Sequence, residues 1–312
     1  MLVRRSALWW PGLFLALALV MACPSAPAAP ERSFDAAADE LAVLTFNVYG
    51  FPLFESWQRP ARFSQLKDEL ASSLADVDVV LLQEAFIPYT RVLREARRHA
   101  VAGACGDDDR FNPTGLLVVT DHEPVGEARR FAFVKGAQGQ WRLTEEEDLD
   151  CAALAARRKP HKGMMAMTVS TPRGLVDLIN VHLDVKREAR EEQKRLLATF
   201  LRERESARPV ILAGDLNEDP CDDRDGFPGE VTMTDASCGV GPTTGGLRFG
   251  ILQGAFGSAE IDHVYVSGAE PTDKRQRLFS RPRAGGHLSD HDGVLALVRL
   301  RTGKAGLAAT RR

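Results

Sequence analysis

Eight polar residues stand where apolar runs of this sequence begin or stop. Asn47 closes Leu41-Ala42-Val43-Leu44-Thr45-Phe46, Glu84 follows the run that ends at Leu82, and His182 lies near the end of Leu175–Leu183. Asp215 and Asn217 come just after Val210–Ala213, Asp262 opens Ile261–Val266, and Asp290-His291 precedes Gly293–Leu300. Carboxylate and amide oxygens are the donors that hard divalent cations take, and histidine exchanges protons near neutral pH. Loops at strand ends are also where rigid scaffolds carry catalytic groups. Each position has a plainer reading, with Asn47 as a turn cap, Glu84 as a solvated acid and His182 as a satisfied core histidine. His99, His122, His161, His263 and His287 fit no such pattern and read as structural; Asp107-Asp108-Asp109 and Asp222-Asp223 read as solvated loops.

It is the order that makes the pieces specific. Phe46-Asn47-Val48-Tyr49-Gly50, Leu82-Gln83-Glu84, Asn180-Val181-His182-Leu183, Gly214-Asp215-Leu216-Asn217, Ile261-Asp262-His263 and Ser289-Asp290-His291 follow one another along residues 45–295. In that order they resemble the endonuclease/exonuclease/phosphatase superfamily. The resemblance implies an α+β fold, a four-layer α/β/β/α sandwich of the DNase I type. It also implies metal-assisted in-line attack of water on a phosphate ester, with Mg²⁺ as cofactor and Mn²⁺ or Ca²⁺ as alternatives. On this reading Glu84 is the principal metal ligand, Asn47 stands beside it, and Asp290 serves the same or a second metal position. His291 is the candidate base, oriented by Asp262, while His182 and Asn217 donate hydrogen bonds to the phosphoryl oxygens. Asp215 stays open between base and support.

Within the superfamily the chain looks most like the bacterial and neutral sphingomyelinases. That likeness rests on Asn47-Val48-Tyr49-Gly50-Phe51-Pro52, Thr114-Gly115-Leu116-Leu117, Lys162-Gly163, and Asn180–Leu183 followed by Arg190 and Gln193. It implies a phospholipid or membrane surface as substrate, with Lys162 among the docking groups. One segment departs from those enzymes: their aromatic-tipped hairpin before the last Ser-Asp-His is replaced by Asp273–Gly286. Here Lys274, Arg275, Arg277, Arg281 and Arg283 surround Leu278-Phe279. That stretch is expected to dock on anionic lipid or gather phosphate, with a solvated basic loop as the alternative. The rival substrate is nucleic acid, as for an extracellular nuclease. The formal net charge of -3 and an aromatic content of 7% weigh against it. The Pro-x-Trp-Cys-Asp-Arg signature of inositol polyphosphate 5-phosphatases is absent. A catalytically inactive surface binding protein is a minor alternative. No protein partner is implied, and a monomer is expected.

The elements that must position these groups are legible as apolar periodicity. Phe63, Leu66, Leu70 and Leu74 are spaced for a helix over Pro60–Ala75. A second helix is expected over Tyr89–Ala102 and a charged one over Lys186–Arg204. Strands are expected at Gly115–Thr120, Glu127–Val134, Met164–Thr171 and Leu175–Leu183, the last two joined by a Pro172-Arg173-Gly174 turn. Residues 1–22 read as a signal peptide, with Arg4 and Arg5 before the apolar Leu13–Ala22. Val20-Met21-Ala22-Cys23 resembles a lipobox, which would lipidate Cys23; Met21 departs from its usual small residue, and cleavage within Ala26–Ala29 is the alternative. Residues 23–40 then form a flexible tether, 41–301 one catalytic domain and 302–312 a disordered tail. The chain is thus expected to be exported, as an outer-membrane or cell-surface lipoprotein or as a secreted protein. Four further cysteines suit an oxidising compartment, with Cys221–Cys238 the favoured disulfide and Cys105–Cys151 its complement. No cysteine spacing suggests zinc.

Overall fold

The computed structural model describes residues 36–37, 39–50, 59–72, 76–86, 97–106, 111–157, 160–204, 207–219, 221, 231–244, 258–281 and 287–301. Among them are β1 (Glu40–Asn47), β2 (Val79–Gln83), β3 (His99–Ala102) and β4 (Leu117–Thr120), which share a sheet with β12 (Ala269–Leu278) and β13 (Gly293–Leu300). The second sheet holds β5 (Glu123–Lys135), β6 (Trp141–Glu145), β7 (Gly163–Thr171), β8 (Gly174–His182), β9 (Val210–Asp215), β10 (Thr234–Asp235) and β11 (Asp262–Ser267). Strand orders are β12-β13-β1-β2-β4-β3 and β10-β11-β9-β8-β7-β5-β6. Helices α1 (Arg59–Ser72), α2 (Cys151–Arg157) and α3 (Arg187–Arg202), with a 3-10 turn at Glu146–Asp148, complete the described elements.

The apolar runs are continuous because the central strands are covered on both faces. Leu41, Val43, Leu81 and Val118 meet Met165, Leu178, Ile211 and Val264 between the sheets. On one outer face Leu44, Phe46 and Val80 pack with Leu66 of α1; on the other Ile179, Val181 and Leu212 pack with Leu197 and Leu201 of α3. Helix, sheet, sheet and helix stack as four layers, as the resemblance implied. Most neighbouring strands are antiparallel, but β1 runs parallel to β2, and β8 to β9. Register pairs Asn47 with Gln83 in the first sheet and His182 with Asp215 in the second. Both parallel pairs therefore end together, which brings their terminal polar residues to one edge of the sandwich. Directly beneath, Gln83 Nε2 donates to Asn180 Oδ1 at 2.8 Å, and Asn180 Nδ2 donates to Leu82 O at 2.9 Å and Leu117 O at 3.1 Å. These buried bonds tie one sheet to the other.

Two sequence expectations change. His99–Ala102 is a strand on β4, not the end of a helix, and its alternating burial has the period of a half-covered strand. The rest of that expected helix lies outside the described residues, apart from a bend at 97–98. The basic stretch before the last motif is largely strand: β12 pairs with β13, and Leu278 and Phe279 are core residues, 3% and 1% exposed. Neither can dock on lipid. Lys274 pairs with Glu40 at 3.1 Å, and Arg277 donates to Pro242 O and lies 3.3 Å from Asp292 Oδ2, so two of the cations are engaged within the fold; Arg275 is exposed. The Phe279 ring lies 5.0 Å from that of Phe46. Phe279→Ala is expected to lower stability by about 3–5 kcal/mol in a denaturant titration; a loss below about 1 kcal/mol would show that the ring is not core. β6 and α2 were not anticipated from the sequence. Both expected disulfides form, Cys105–Cys151 and Cys221–Cys238. Cys23, the signal segment, Arg283 and the tail lie outside the described residues. No described helix is long and apolar enough to cross a membrane.

Candidate active site

The site begins in the backbone. Gly214 runs so close to β8 that a Cβ there would meet Val181 O at 1.8 Å, which explains the glycine before Asp215. Glu84 and Asn217 sit at φ of 55° and 53°, a region disfavoured for residues with a side chain. Strain of this kind persists where surrounding structure enforces it. At Glu84 that structure is the hydrogen bonds Gly50 N to Glu84 O (2.9 Å) and Ala85 N to Gly115 O (2.8 Å). At Asn217 it is the amide N–H donating to Asp215 Oδ1 at 2.9 Å and Nδ2 donating to Leu183 O at 2.9 Å.

Asp215 is the hub. Its Oδ2 accepts from Asn47 Nδ2 at 3.0 Å and lies 3.2 Å from His182 Nε2 and 3.9 Å from His291 Nε2. Asn47 Oδ1 accepts the Tyr49 N–H at 3.0 Å and keeps a second lone pair for a cation. Glu84 Oε1 is 3.9 Å from His182 Nε2, and Lys162 Nζ hydrogen-bonds the same nitrogen. His291 Nδ1 meets Asp262 Oδ2 at 2.8 Å. Ser289 Oγ donates to Asn47 O at 2.6 Å, joining the last motif to the first. Arg62 of α1 donates to Val48 O, Tyr49 O and Leu288 O, clamping the same two segments.

The charges divide this cluster. Burial pushes the Glu84 carboxyl up to about 7, opposed by Lys162 and assisted by Asp290. Burial also raises Asp290, with His291 partly opposing it. Burial works against ionising Asp215 too, but His182, His291 and Lys162 prevail and hold it well below the carboxylate range. His182 is driven down to about 4 by burial and Lys162, so its ring is neutral at pH 7. His291 goes the other way: burial lowers its pKa, but Asp262, with Asp215 and Asp290, lifts it well above 6.5.

A divalent cation fits this donor set. Glu84 Oε2 is buried without a hydrogen-bond partner among the described residues, and burial together with neighbouring acids opposes its charge. A hard cation held by Glu84, Asn47 and Asp290 would remove that penalty. Asp215, Asp262 and His291 also lie within ligand distance of one another, but Asp262 Oδ2 is already taken by His291 and the Thr243 hydroxyl. We read that trio as a hydrogen-bonded array, not a cage.

The eight residues expected from the sequence thus gather at one edge. Lys162, expected among the docking groups, stands inside the site against His182. His263 is structural, with Nδ1 on Asp235 Oδ2 at 2.8 Å and Nε2 on Glu260 O at 2.9 Å. Sequence reasoning missed Arg62, Ser289 and Thr243; Ser289 stood within a quoted motif, while Arg62 and Thr243 had no local signal. Beside Glu84 and Lys162 opens a cleft of 550 Å³ with Phe86, Phe133, Trp141 and Pro160 on its walls.

A model of the Endonuclease/Exonuclease/phosphatase family matches residues 44–291. No curated relative matches the sequence. Among solved structures, a functionally unknown conserved protein from Enterococcus faecalis V583 is 18% identical, with 83% of this chain and 99% of that one covered at a TM-score of 0.60. An endonuclease/exonuclease/phosphatase from Beutenbergia cavernae is 20% identical over 84% of this chain and 72% of that one, at a TM-score of 0.55. TDP2 of D. rerio, complexed with single-strand DNA product, is 18% identical over 83% and 99% of the two chains, at a TM-score of 0.57. At these identities the likeness is one of fold.

Proposed function

Because this chain belongs to the endonuclease/exonuclease/phosphatase family, whose members are typically metal-dependent hydrolases of phosphodiester bonds, we propose that it is an exported, Mg²⁺-dependent phosphodiesterase acting on phospholipid of the sphingomyelin type. One observation carries the chemistry. A buried Glu84 oxygen with no partner among the described residues, an Asp262–His291 pair and the ionised carboxylate of Asp215 share one buried cluster. When bound, the cation neutralises phosphate charge and the charge that develops on the leaving oxygen. The chain's own groups do the rest. Lys162, whose ammonium is held by Nε2 of the neutral His182, and Asn217 hold the phosphoryl oxygens. His291 Nε2 takes the proton from the attacking water, while Asp262 on Nδ1 fixes the tautomer and balances the charge that forms. Asp215, held ionised by its neighbours, serves as the electrostatic anchor of both histidines.

The phospholipid reading is supported by the sphingomyelinase-like motifs, by the lipobox-like segment and by the cleft. Its apolar walls beside Glu84 suit the stem of a lipid ester. The second reading, a nucleic-acid strand, is favoured by the similar fold solved with single-strand DNA. Purified protein offered sphingomyelin vesicles, phosphatidylcholine vesicles and plasmid or single-stranded DNA, with Mg²⁺ or with EDTA, separates the two. Mg²⁺-dependent release of phosphocholine is the expected outcome. Trp141→Ala is expected to raise KM for the lipid about tenfold, the worth of roughly 50 Å² of apolar contact. Cleavage of DNA with lipid untouched would overturn the phospholipid reading; turnover that survives EDTA would overturn the metal-dependent one.

A further inference from the structure

We propose that Thr243 is a positioning residue of this site, acting through Asp262 to fix the orientation of His291. The proposal rests on the phosphodiesterase reading only for its kinetic test. Thr243 is fully buried. Its one hydroxyl proton has two acceptors in reach, Asp262 Oδ2 at 2.6 Å and Ala259 O at 3.5 Å, and the shorter bond takes it. The hydroxyl oxygen accepts the N–H groups of Ile261 at 3.1 Å and Asp262 at 3.2 Å. Asp262 Oδ2 thus receives two donors, the threonine hydroxyl and His291 Nδ1. Asp262 Oδ1 is buried with no hydrogen-bond partner among the described residues. Little else opposes rotation of the carboxylate, so the threonine hydroxyl selects which oxygen faces the imidazole and in which direction.

The backbone at Thr243 joins the two segments it aligns. Its N–H donates to Ala259 O at 2.9 Å, and its carbonyl accepts the Asp292 N–H at 2.6 Å. Thr244 bridges both Ala259 and His291. The loop leading there is held tightly for one without regular structure. Glu260 accepts Gly239 N at 2.8 Å on one oxygen and Gly241 N at 2.9 Å on the other. Gly239 and Gly241 have φ of 86° and 88°, which suits glycine. Arg277 donates to Pro242 O and lies 3.3 Å from Asp292 Oδ2, and Cys238 is bonded to Cys221. A loop restrained at so many points can deliver a hydroxyl to a fixed place.

The test compares Thr243→Val with Thr243→Ser, since valine keeps the volume and serine keeps the hydroxyl. With bis(p-nitrophenyl) phosphate and Mg²⁺, the valine variant is expected to lose about 10- to 100-fold in kcat with KM within about threefold of wild type. Serine is expected to stay within about threefold of wild type. In the Asp262→Asn background the valine substitution is expected to add little further loss, because it acts through Asp262. A second readout needs no turnover: the downfield Nδ1 proton of His291, followed by NMR in ¹⁵N-histidine-labelled protein, is expected to shift or broaden in the valine variant and to persist in the serine one. A valine variant with full kcat and an unchanged resonance, or a serine variant as impaired as valine, would overturn the proposal. If the wild type hydrolyses no phosphodiester, that failure belongs to the functional reading, and the resonance still decides the role of Thr243.

Discussion

Glu84→Gln is expected to reduce phosphodiester hydrolysis by about a thousandfold or more, the several kcal/mol that a metal ion supplies to a charged transition state. The substitution keeps the side chain's shape, so the strained turn at φ 55° and its backbone bonds to Gly50 and Gly115 should persist. Stability adds a second readout with a definite sign. The folded-state value for Glu84, about 7, lies above the ordinary 4.5, so the folded protein favours the protonated form. Its contribution is full below pH 4.5 and is lost as the pH rises through about 7, by an amount on the order of 3 kcal/mol. In EDTA, wild-type stability should therefore decline across that window, and the glutamine variant should lack this component. Restoring Mg²⁺ above pH 7 should stabilise the wild type by about 2.7 kcal/mol at a hundred times Kd, read as a higher melting temperature, and leave the variant unmoved. Full metal-dependent turnover in the glutamine variant would remove Glu84 from the metal site.

The second large effect concerns the histidine–carboxylate pair. His291→Ala and Asp262→Asn are each expected to lower kcat by about a thousand- to ten-thousandfold, as in other sites where a buried aspartate sets a histidine's tautomer. The pH profile separates their roles. His291 is raised well above 6.5, with Asp262 the leading raising cause, so an activity that needs the neutral ring should climb into the alkaline range. In Asp262→Asn that charge is gone, and the residual activity should show its acid limb at lower pH than wild type. An acid limb that stays in place would assign it to another group. Asp215 is not expected to be that group, because its neighbours hold it ionised far below the working range.

Much of this site was legible in the sequence because catalytic groups here terminate strands covered on both sides. A run such as Val79–Leu82 must be buried, and the polar residues past it, Gln83 and then Glu84, must fall where the strand ends. Residues whose roles depend on long-range closure left no such mark. Thr243 stands 19 residues before Asp262 and reaches it only because the chain between β10 and β11 returns on itself, with Thr243 N bonded to Ala259 O, which no local pattern encodes. Lys162 preceded an apolar strand and gave no sign that its ammonium would face His182 across the β7–β8 ladder, where Gly163 is opposite His182. At His99–Ala102 the sequence does not separate helix from strand, because four residues are too few to tell a period of 2 from one of 3.6. In β12 the density of charge suggested a surface loop, yet Leu278 alone faces inward at its end.

That same strand has a consequence for how the molecule behaves in a concentrated solution. Among the described residues β12 is the outermost strand of its sheet and pairs with β13 alone. A free edge is a template on which another chain can add a strand, and the route by which folded sheets begin to aggregate. Here the edge carries Pro271, which has no N–H to offer, and a register shift between Pro271 and Arg275 that breaks the even ladder. Arg275 is exposed along it, and Lys274 and Arg277 are held there by Glu40 and by Pro242 O and Asp292, contacts that an incoming strand would have to displace. The stretch that first suggested adhesion to a surface is thus poorly suited to receive an added strand.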